Sequence, residues 1–512
     1  ASAEADRVSR LIKEGESLCP YCLVKRLTSF RETLKRIVKG LLGIEQEVNV
    51  WFPTVGDVAA ERVRVEILRA IHYVNPREIL EEIARDLTLN ELFVQSRERK
   101  SEHLLSSVRA AVEDARKNAS ELPDELRDEM HALINFLAYT EAEQLFLAND
   151  VWGKIRRILK REFKRRGLKV DLSPRIYYSI VSADGDSLGD ILRGDPPSVG
   201  DLREYYRELL KGVEGIPDVR QKADSLASWL EDVVKKYLSW VRATKGRGAY
   251  PDFKVPVSPS YHFTVSRSLM SSALRDIEIV ESYGGFVVYS GGDDLVALVP
   301  VVEPPDAPSA SPPISVIRET RLSYWGLDRE PGGFHIRLGV VPAMLGAGRS
   351  YGVRIAHYHD PMRGEIDSAM SAEHRAKCLS CAGGPTKDGT CVSYGRGREI
   401  VATVPNRSSN SICETHDIVR LLIEDIRSGK ASVSLTYDVL DHEARIRETY
   451  RVSPEMAERM LLRLIERNYE PDSDRPREIL LALKESSKGC GDWIEVGLEA
   501  FKAVRLIMGG ER

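Results

Sequence analysis

The chain has 512 residues, 42% of them hydrophobic and 30% charged, with a formal net charge of −4 at pH 7. That length supplies ample core for two to four domains, and the near-neutral balance excludes a globally basic nucleic-acid binder, so any such binding must be local. No run approaches the roughly eighteen apolar residues of a membrane span, and Ala1 to Cys19 is too charged for a signal peptide, which predicts a soluble, cytoplasmic protein.

The seven cysteines are odd in number and partly arranged in CxxC pairs, which suits metal better than a disulfide framework. Cys19-Pro20-Tyr21-Cys22 is the first pair; a tetrahedral zinc site needs four ligands, and no second pair follows at ribbon spacing. From Thr28 to Lys169 apolar residues recur at three- and four-residue spacing. This predicts helices at Val58 to Val74, Pro76 to Asp86, Ser101 to Asn118 and Pro123 to Leu147. Phe52 to Asp57 reads as a loop entering a helix, with Thr54 or Asp57 as its cap. Trp152 to Lys169 carries nine Lys and Arg residues against Glu162 alone. Ile155, Ile158, Leu159 and Phe163 share one helical face, so the basic residues are either its solvated side or a phosphate-contacting surface for RNA.

Ile176 to Val181 is an apolar, β-branched run that ends in Ser182-Ala183-Asp184-Gly185-Asp186-Ser187-Leu188-Gly189. After a break at Asp195-Pro196-Pro197, Asp201 to Gly212 and Val219 to Lys245 read as an amphipathic helical insertion with Trp229 and Trp240 in its core. Tyr261 to Glu281 is the next helix, with Ser258, Ser260 or His262 either capping it or lining a nucleotide pocket. It runs into Phe286 to Tyr289, the turn Ser290-Gly291-Gly292-Asp293-Asp294, and a second apolar run, Leu295 to Val299. The glycines permit a tight reversal, so this is a hairpin with two carboxylates at its tip, or an ordinary Asp-rich turn. Two adjacent acids beside buried strands need cations. If the Asp184 strand is a neighbour in the same sheet, Asp184 and Asp186 join Asp293 and Asp294 around hard, oxygen-seeking Mg²⁺ or Mn²⁺.

Val301 to Pro313 reads as a Pro-rich excursion, His335 to Pro342 as a strand, and Gly346 to Gly352 as a connection between strands. Val353 to Tyr358 is a further strand and Arg363 to Lys377 a helix. His357 and His359 suit local hydrogen bonding better than a carboxylate metal site. Cys378 and Cys381, followed by Cys391 and Cys413, lie in a Gly-rich stretch as a second candidate zinc site. From Ile412 onward helices are expected at Ile418 to Ser428, Pro454 to Asn468, Pro476 to Ser486 and Trp493 to Met508, with no catalytic constellation.

The segments DGDSLG, VSPSYHFTVSRSL (Val257 to Leu269), YSGGDD and IAHYHDPM (Ile355 to Met362), in that order, resemble the large polymerase/cyclase subunit of type III CRISPR effector complexes, in particular the III-B (Cmr) branch. A GGDD turn is also similar to diguanylate cyclases, but those carry Glu-Phe after GGD where this chain has Asp294-Leu295. The resemblance implies an α+β protein with a ferredoxin-like palm and flanking helical domains. The expected division is a partial zinc-knuckle region at 1–50, a helical domain at 51–171, the palm with its insertions at 172–400 and a helical domain at 401–512. It implies conversion of ATP to cyclic oligoadenylate on a two-metal site of Asp184, Asp293 and Asp294, with Asp186 beside them. Gly185, Ser290, Gly291, Gly292, His262 and Ser266 are the candidates for lining the nucleotide, and Lys377 stands where palm cyclases carry a phosphate-contacting lysine.

The resemblance also implies guide RNA and target RNA, small helical subunits and the subunit at the 5′-tag end as partners, and structural zinc at Cys19 and Cys22. The upstream CxxC of that knuckle, the HD nuclease domain and the first palm do not precede Cys19 here. The expectation is then a fragment, a chain whose front has been left out, or a naturally split subunit whose partner chain supplies the rest. A scaffold with a degenerate palm is the alternative function, against which the intact carboxylates argue. The sparse glutamines (Gln46, Gln95, Gln144 and Gln221) beside abundant charge hint at a thermophile.

Overall fold

In the computed structural model the described residues are 53–97, 104–193, 257–302, 311–324, 334–336, 339–341, 348–379, 387–395, 399–406, 414–471, 473–486 and 492–510. Cys19, Cys22, Cys381, Cys413 and the helices expected between Asp201 and Lys245 lie outside them. The chain divides into two units, Ala1–Pro53 with Lys100–Leu104 and Thr54–Arg99 with Leu105–Arg512, and every element below belongs to the second.

Thr54 opens the first helix with a reciprocal cap: its hydroxyl accepts from the Asp57 N–H at 3.0 Å, and its own N–H donates to Asp57 Oδ2 at 3.2 Å. The expected helix from Val58 to Val74 is interrupted at Ala60, giving α1 (Val55–Ala59), α2 (Glu61–Ala70) and a 3₁₀ turn, Ile71–Tyr73. Asn75 caps α3 (Pro76–Arg85), with Pro76 in the first turn where its missing N–H costs nothing. The bundle continues through α4 (Leu87–Arg97), α5 (Ser106–Ala119), α6 (Asp124–Tyr139), α7 (Ala142–Leu145) and α8 (Asn149–Arg165). α8 buries Trp152, Ile155, Ile158, Leu159 and Phe163, the apolar face its spacing predicts.

The β-branched run becomes β1 (Tyr177–Gly185), followed by the short α9 (Leu188–Leu192). Ser258 caps α10 (Pro259–Ser282), accepting from the Tyr261 N–H at 3.1 Å, and α10 leads into β2 (Phe286–Gly291) and β3 (Asp294–Pro300). α11 (Pro312–Tyr324) follows, then a small separate hairpin, β4 (Phe334–Ile336) and β5 (Gly339–Val341), where one strand was expected. β6 (Arg349–His357), α12 (Met362–Lys377), β7 (Gly389–Tyr394) and β8 (Ile400–Pro405) complete a sheet of order β2-β3-β1-β6-β7-β8. β1 is antiparallel to both β3 and β6, so β2-β3-β1-β6 has the ferredoxin-like order, while β6 and β7 are parallel across the α12 crossover. The fold is α+β, as expected.

Two stretches differ from the sequence reading for local reasons. Arg349 to Gly352, read as a connection because of its glycines, is the first half of β6 and pairs with Ser182 to Gly185. The Gly-rich stretch after Cys378 contains β7 and β8, whose short runs of Thr, Val and Ile are strand formers hidden between turn residues. The expected boundary at 400 therefore falls inside the sheet.

Behind the sheet, Val181, Val353 and Ile355 share one core with Ile279 and Val280 of α10 and Ile317 of α11. The C-terminal helices α13 (Glu414–Arg427), α14 (Leu435–Asp441), α15 (Glu443–Val452), α16 (Pro454–Glu466), α17 (Arg475–Ser486) and α18 (Trp493–Gly509) join it through residues such as Leu422, Phe501 and Val504. On the opposite face α12 lies close against β6. A Cβ at Gly352 would fall 2.1 Å from the Ala369 carbonyl oxygen and 2.4 Å from the Glu373 nitrogen. Gly352→Val should therefore lift α12 off the sheet and destabilise the protein by about 1–3 kcal/mol in urea unfolding; an unchanged midpoint would show that the helix has room to move.

Candidate metal centre

β1 ends on Asp184-Gly185 while the β2–β3 hairpin turns through Gly292, whose φ of +82° is left-handed. Register places Ala183 opposite Leu295 and Gly291 opposite Asp294, so the end of β1 and the hairpin tip meet at one end of the sheet. There one carboxylate oxygen from each of Asp184, Asp293 and Asp294 lies within 4.8 Å of the others. The approach requires Gly185: a Cβ there would fall 2.7 Å from the Asp293 Cβ and 2.5 Å from the Tyr324 hydroxyl. Burial raises the pKa of Asp293, the neighbouring Asp294 charge raises it further, and burial also raises Asp294.

Two cations flank these acids. At the end of α12 the Lys377 ammonium pairs with Asp184 and, at 3.0 Å, with Glu373 one turn earlier. Glu373 is itself tied to β1, accepting from the Ser182 hydroxyl at 2.7 Å. Behind the hairpin, fully buried Arg349 donates from Nε to the Asp293 carbonyl oxygen at 3.1 Å and pairs with buried Asp276 of α10 at 2.7 Å. Its guanidinium also lies 5.1 Å from the Tyr324 ring centre. Burial works against this charge, but Asp276, Tyr351 and Tyr324 together outweigh it and the Arg349 pKa is raised.

Asp186 does not join the cluster. The strand ends at Gly185, Ser187 takes a left-handed φ of 58°, and the Asp186 N–H donates to the Gly348 carbonyl at 2.9 Å, so the chain turns away. The Asp186 carboxylate is buried, accepting from the Ser350 hydroxyl at 2.9 Å and the Asp388 N–H at 2.8 Å. It belongs to a supporting network. In that network Arg321 pairs with Asp388 at 2.6 Å, and Asn406 donates from Nδ2 to the Arg349 carbonyl at 2.9 Å.

Among the other candidates, Gly291 leaves room for the Tyr289 ring, whose hydroxyl would fall 2.2 Å from an added Cβ. Ser290 donates to the Ala273 carbonyl at 3.2 Å, while His262 and Ser266 are exposed one turn apart on α10. Lys377 is at the cluster. His357 accepts from the His359 N–H at 3.1 Å, the local bonding expected of it, and pairs in register with Tyr177 at the far end of β1. Cys378 is exposed after α12. Cys391 is buried against Ala372 and Ala376, and burial pushes its thiol up, which suits a neutral core residue better than a zinc ligand.

The sequence reading missed Arg349, Glu373 and Ser182. Glu373 had a faint signal, a carboxylate four residues before Lys377 on one helix; Arg349 had none, because its partners come from α10 and the hairpin.

Residues 177–382, which hold all three carboxylates, match the family model of the Cas10/Cmr2 second palm domain. The resemblance to a Cmr2-type subunit is borne out over most of the chain. The CRISPR system CMR subunit Cmr2 of Saccharolobus solfataricus is 25% identical over 518 residues, covering 85% of this chain and 45% of its own length. The CRISPR system Cmr subunit Cmr2 of Pyrococcus furiosus is 23% identical over 129 residues, covering 25% of this chain and 11% of that one. Among solved structures, a chain of a type III-B Cmr-beta complex in its apo state, determined by cryo-EM, shares the fold with a TM-score of 0.58 at 21% identity, covering 99% of this chain and 53% of that one. The chain thus spans about half the length of the Saccharolobus solfataricus relative and of the Cmr-beta chain.

Burial, with the Asp388 carboxylate close by, pushes Asp186 up from 3.8 to about 7. A raised folded-state pKa contributes stability that is present in acid and lost as pH rises through that value. In metal-free buffer the melting temperature of the wild type relative to Asp186→Asn should therefore fall from pH 4 to pH 8; buried Glu61, raised to about 7, acts in the same direction in both proteins, and buried His416, lowered to about 3, acts in the opposite one. Parallel pH profiles for wild type and variant would remove Asp186 as a source.

Proposed function

We propose that the chain is the large subunit of a type III CRISPR effector complex and that its palm converts ATP to cyclic oligoadenylate when target RNA is bound. The observation that carries the reading is the convergence of Asp184, Asp293 and Asp294 within 4.8 Å. Three anionic oxygen donors without imidazole or thiolate fit hard divalent cations, Mg²⁺ or Mn²⁺. Bound there, such a cation supplies charge neutralisation and acidifies a ribose hydroxyl.

In the reaction the 3′-oxygen of one nucleotide forms a bond to the α-phosphorus of another. The bond from that phosphorus to the β-phosphate bridge breaks, pyrophosphate leaves, and the hydroxyl proton passes to solvent. Asp184, Asp293 and Asp294 hold the cations. Lys377, steadied by Glu373, presents an ammonium to phosphate oxygens; Gly185 lets Asp293 close on Asp184, Gly291 leaves room for the Tyr289 ring, and Gly292 makes the left-handed turn of the hairpin. Ser290, His262 and Ser266 line the nucleotide side.

The match to the Cas10/Cmr2 palm and the Cmr2 relatives support membership of such a complex. One neighbour in fold is a type III-B Cmr-beta complex bound to cognate target RNA, which supports RNA and the other effector subunits as partners. Structural zinc at Cys19 and Cys22 belongs to the same proposal. Among the described residues no helix is long and apolar enough to cross a membrane.

Asp293→Asn with Asp294→Asn keeps the shape of the hairpin tip while removing two charges. In the assembled complex with target RNA, ATP-derived product should fall at least about a hundredfold, target binding should persist, and Asp184→Asn should behave alike. Undiminished product in these variants would contradict the site, no ATP-derived product from the wild type would favour a scaffold, and a cyclic product made from GTP in place of ATP would favour a diguanylate-cyclase-like enzyme.

A further inference from the structure

We infer that one stripe of α8, formed by Arg156, Arg157, Lys160 and Lys164, is a docking surface for the phosphate backbone of RNA; the inference rests on the reading of the chain as part of an RNA-guided complex. The cations of α8 fall into two neighbouring stripes with different partners. In the first, Lys154 pairs with Asp86 at 2.6 Å, Arg161 pairs with Glu82, and Arg165 pairs with Glu78 at 2.9 Å. Glu162 also serves both Arg161 and Arg165, each at 3.1 Å. The acids recur every four residues along α3 and its end, so this stripe joins α8 to the bundle.

The second stripe has no such work. Arg156, Arg157, Lys160 and Lys164 are exposed and form no ion pair among the described residues; Arg157 donates to the Gly153 carbonyl at 3.1 Å. Gly153 lies on the same face, and a Cβ there would meet nothing within 4 Å, so the stripe is open. Like charges at four-residue spacing repel by a few tenths of a kcal/mol per pair. The arrangement thus opposes α8 and, beyond the bond from Arg157 to Gly153 within the helix, brings no ion pair to the fold among the described residues, in a chain whose net charge is −4.

The ligand's chemistry follows from the stripe's shape. Arg156 to Lys164 spans about 12 Å at the helical rise, a length that faces about three successive phosphates of a strand. An isolated carboxylate would engage only one position. An acidic protein surface would need an apolar anchor at the centre of its interface, and no exposed large hydrophobic residue lies on α8. Phosphate contacts of this kind carry affinity without base sequence.

The test uses the full chain and a fluorescent polyuridine oligonucleotide, with binding measured by anisotropy from about 50 to about 200 mM salt. Replacing Arg156, Arg157, Lys160 and Lys164 together by Gln should lower the slope of log K against log salt by about 2, at about 0.7 per lost phosphate contact. The melting temperature should hold or rise slightly as the repulsion is relieved, and Mn²⁺ affinity should stay unchanged. Replacing Lys154, Arg161 and Arg165 by Gln should lower the melting temperature and leave the slope intact. An unchanged slope in the first variant, or equal slope losses in both, would overturn the stripe. Failure of the wild-type chain to bind RNA at all would overturn the RNA-partner reading with it.

Discussion

Asp293 can approach Asp184 because the residue after Asp184 has no side chain. A Cβ on Gly185 would collide with the Asp293 Cβ at 2.7 Å, and everything else about the site is a consequence of letting three carboxylates crowd together. Carboxylates this close repel one another and lose solvation, which is why burial raises Asp293 and Asp294. The fold answers with fixed charge on both sides, Arg349 behind the hairpin and Lys377 at its front.

A buried guanidinium is itself costly, so the compensation spreads inward. Arg349 is matched by Asp276 and spends a further N–H on the Asp293 carbonyl, which ties the hairpin tip to both α10 and β6. Around it, Asp186, Ser350, Asp388, Arg321 and Asn406 form a second buried network that joins the end of β1 to the start of β7 and the end of β8. The sheet then rests on a core shared with the C-terminal helices, so the metal site is built on packed elements and not on loops.

What was legible in the sequence was local. The apolar, β-branched run of β1, the glycine turn of the hairpin and the Ser258 cap of α10 each rest on a few consecutive residues, and their readings survive. Asp186 shows where local pattern fails. Alternation puts it on the same face as Asp184, but the strand ends at Gly185 and the left-handed Ser187 turns the chain inward. Arg349 was invisible because its partners lie far along the chain, Glu373 was marked only faintly by its spacing from Lys377 while its other partner, Ser182, lies on β1, and β7 and β8 were short runs hidden among glycines.

The most direct test of the central claim is anomalous diffraction from crystals grown with Mn²⁺. The account predicts a manganese peak at about 2.1–2.2 Å from oxygens of Asp184, Asp293 and Asp294, with Asp186 still buried on Ser350 and Asp388. A peak held by Asp186 and the hairpin without Asp184, or none at the hairpin under saturating Mn²⁺, would contradict it.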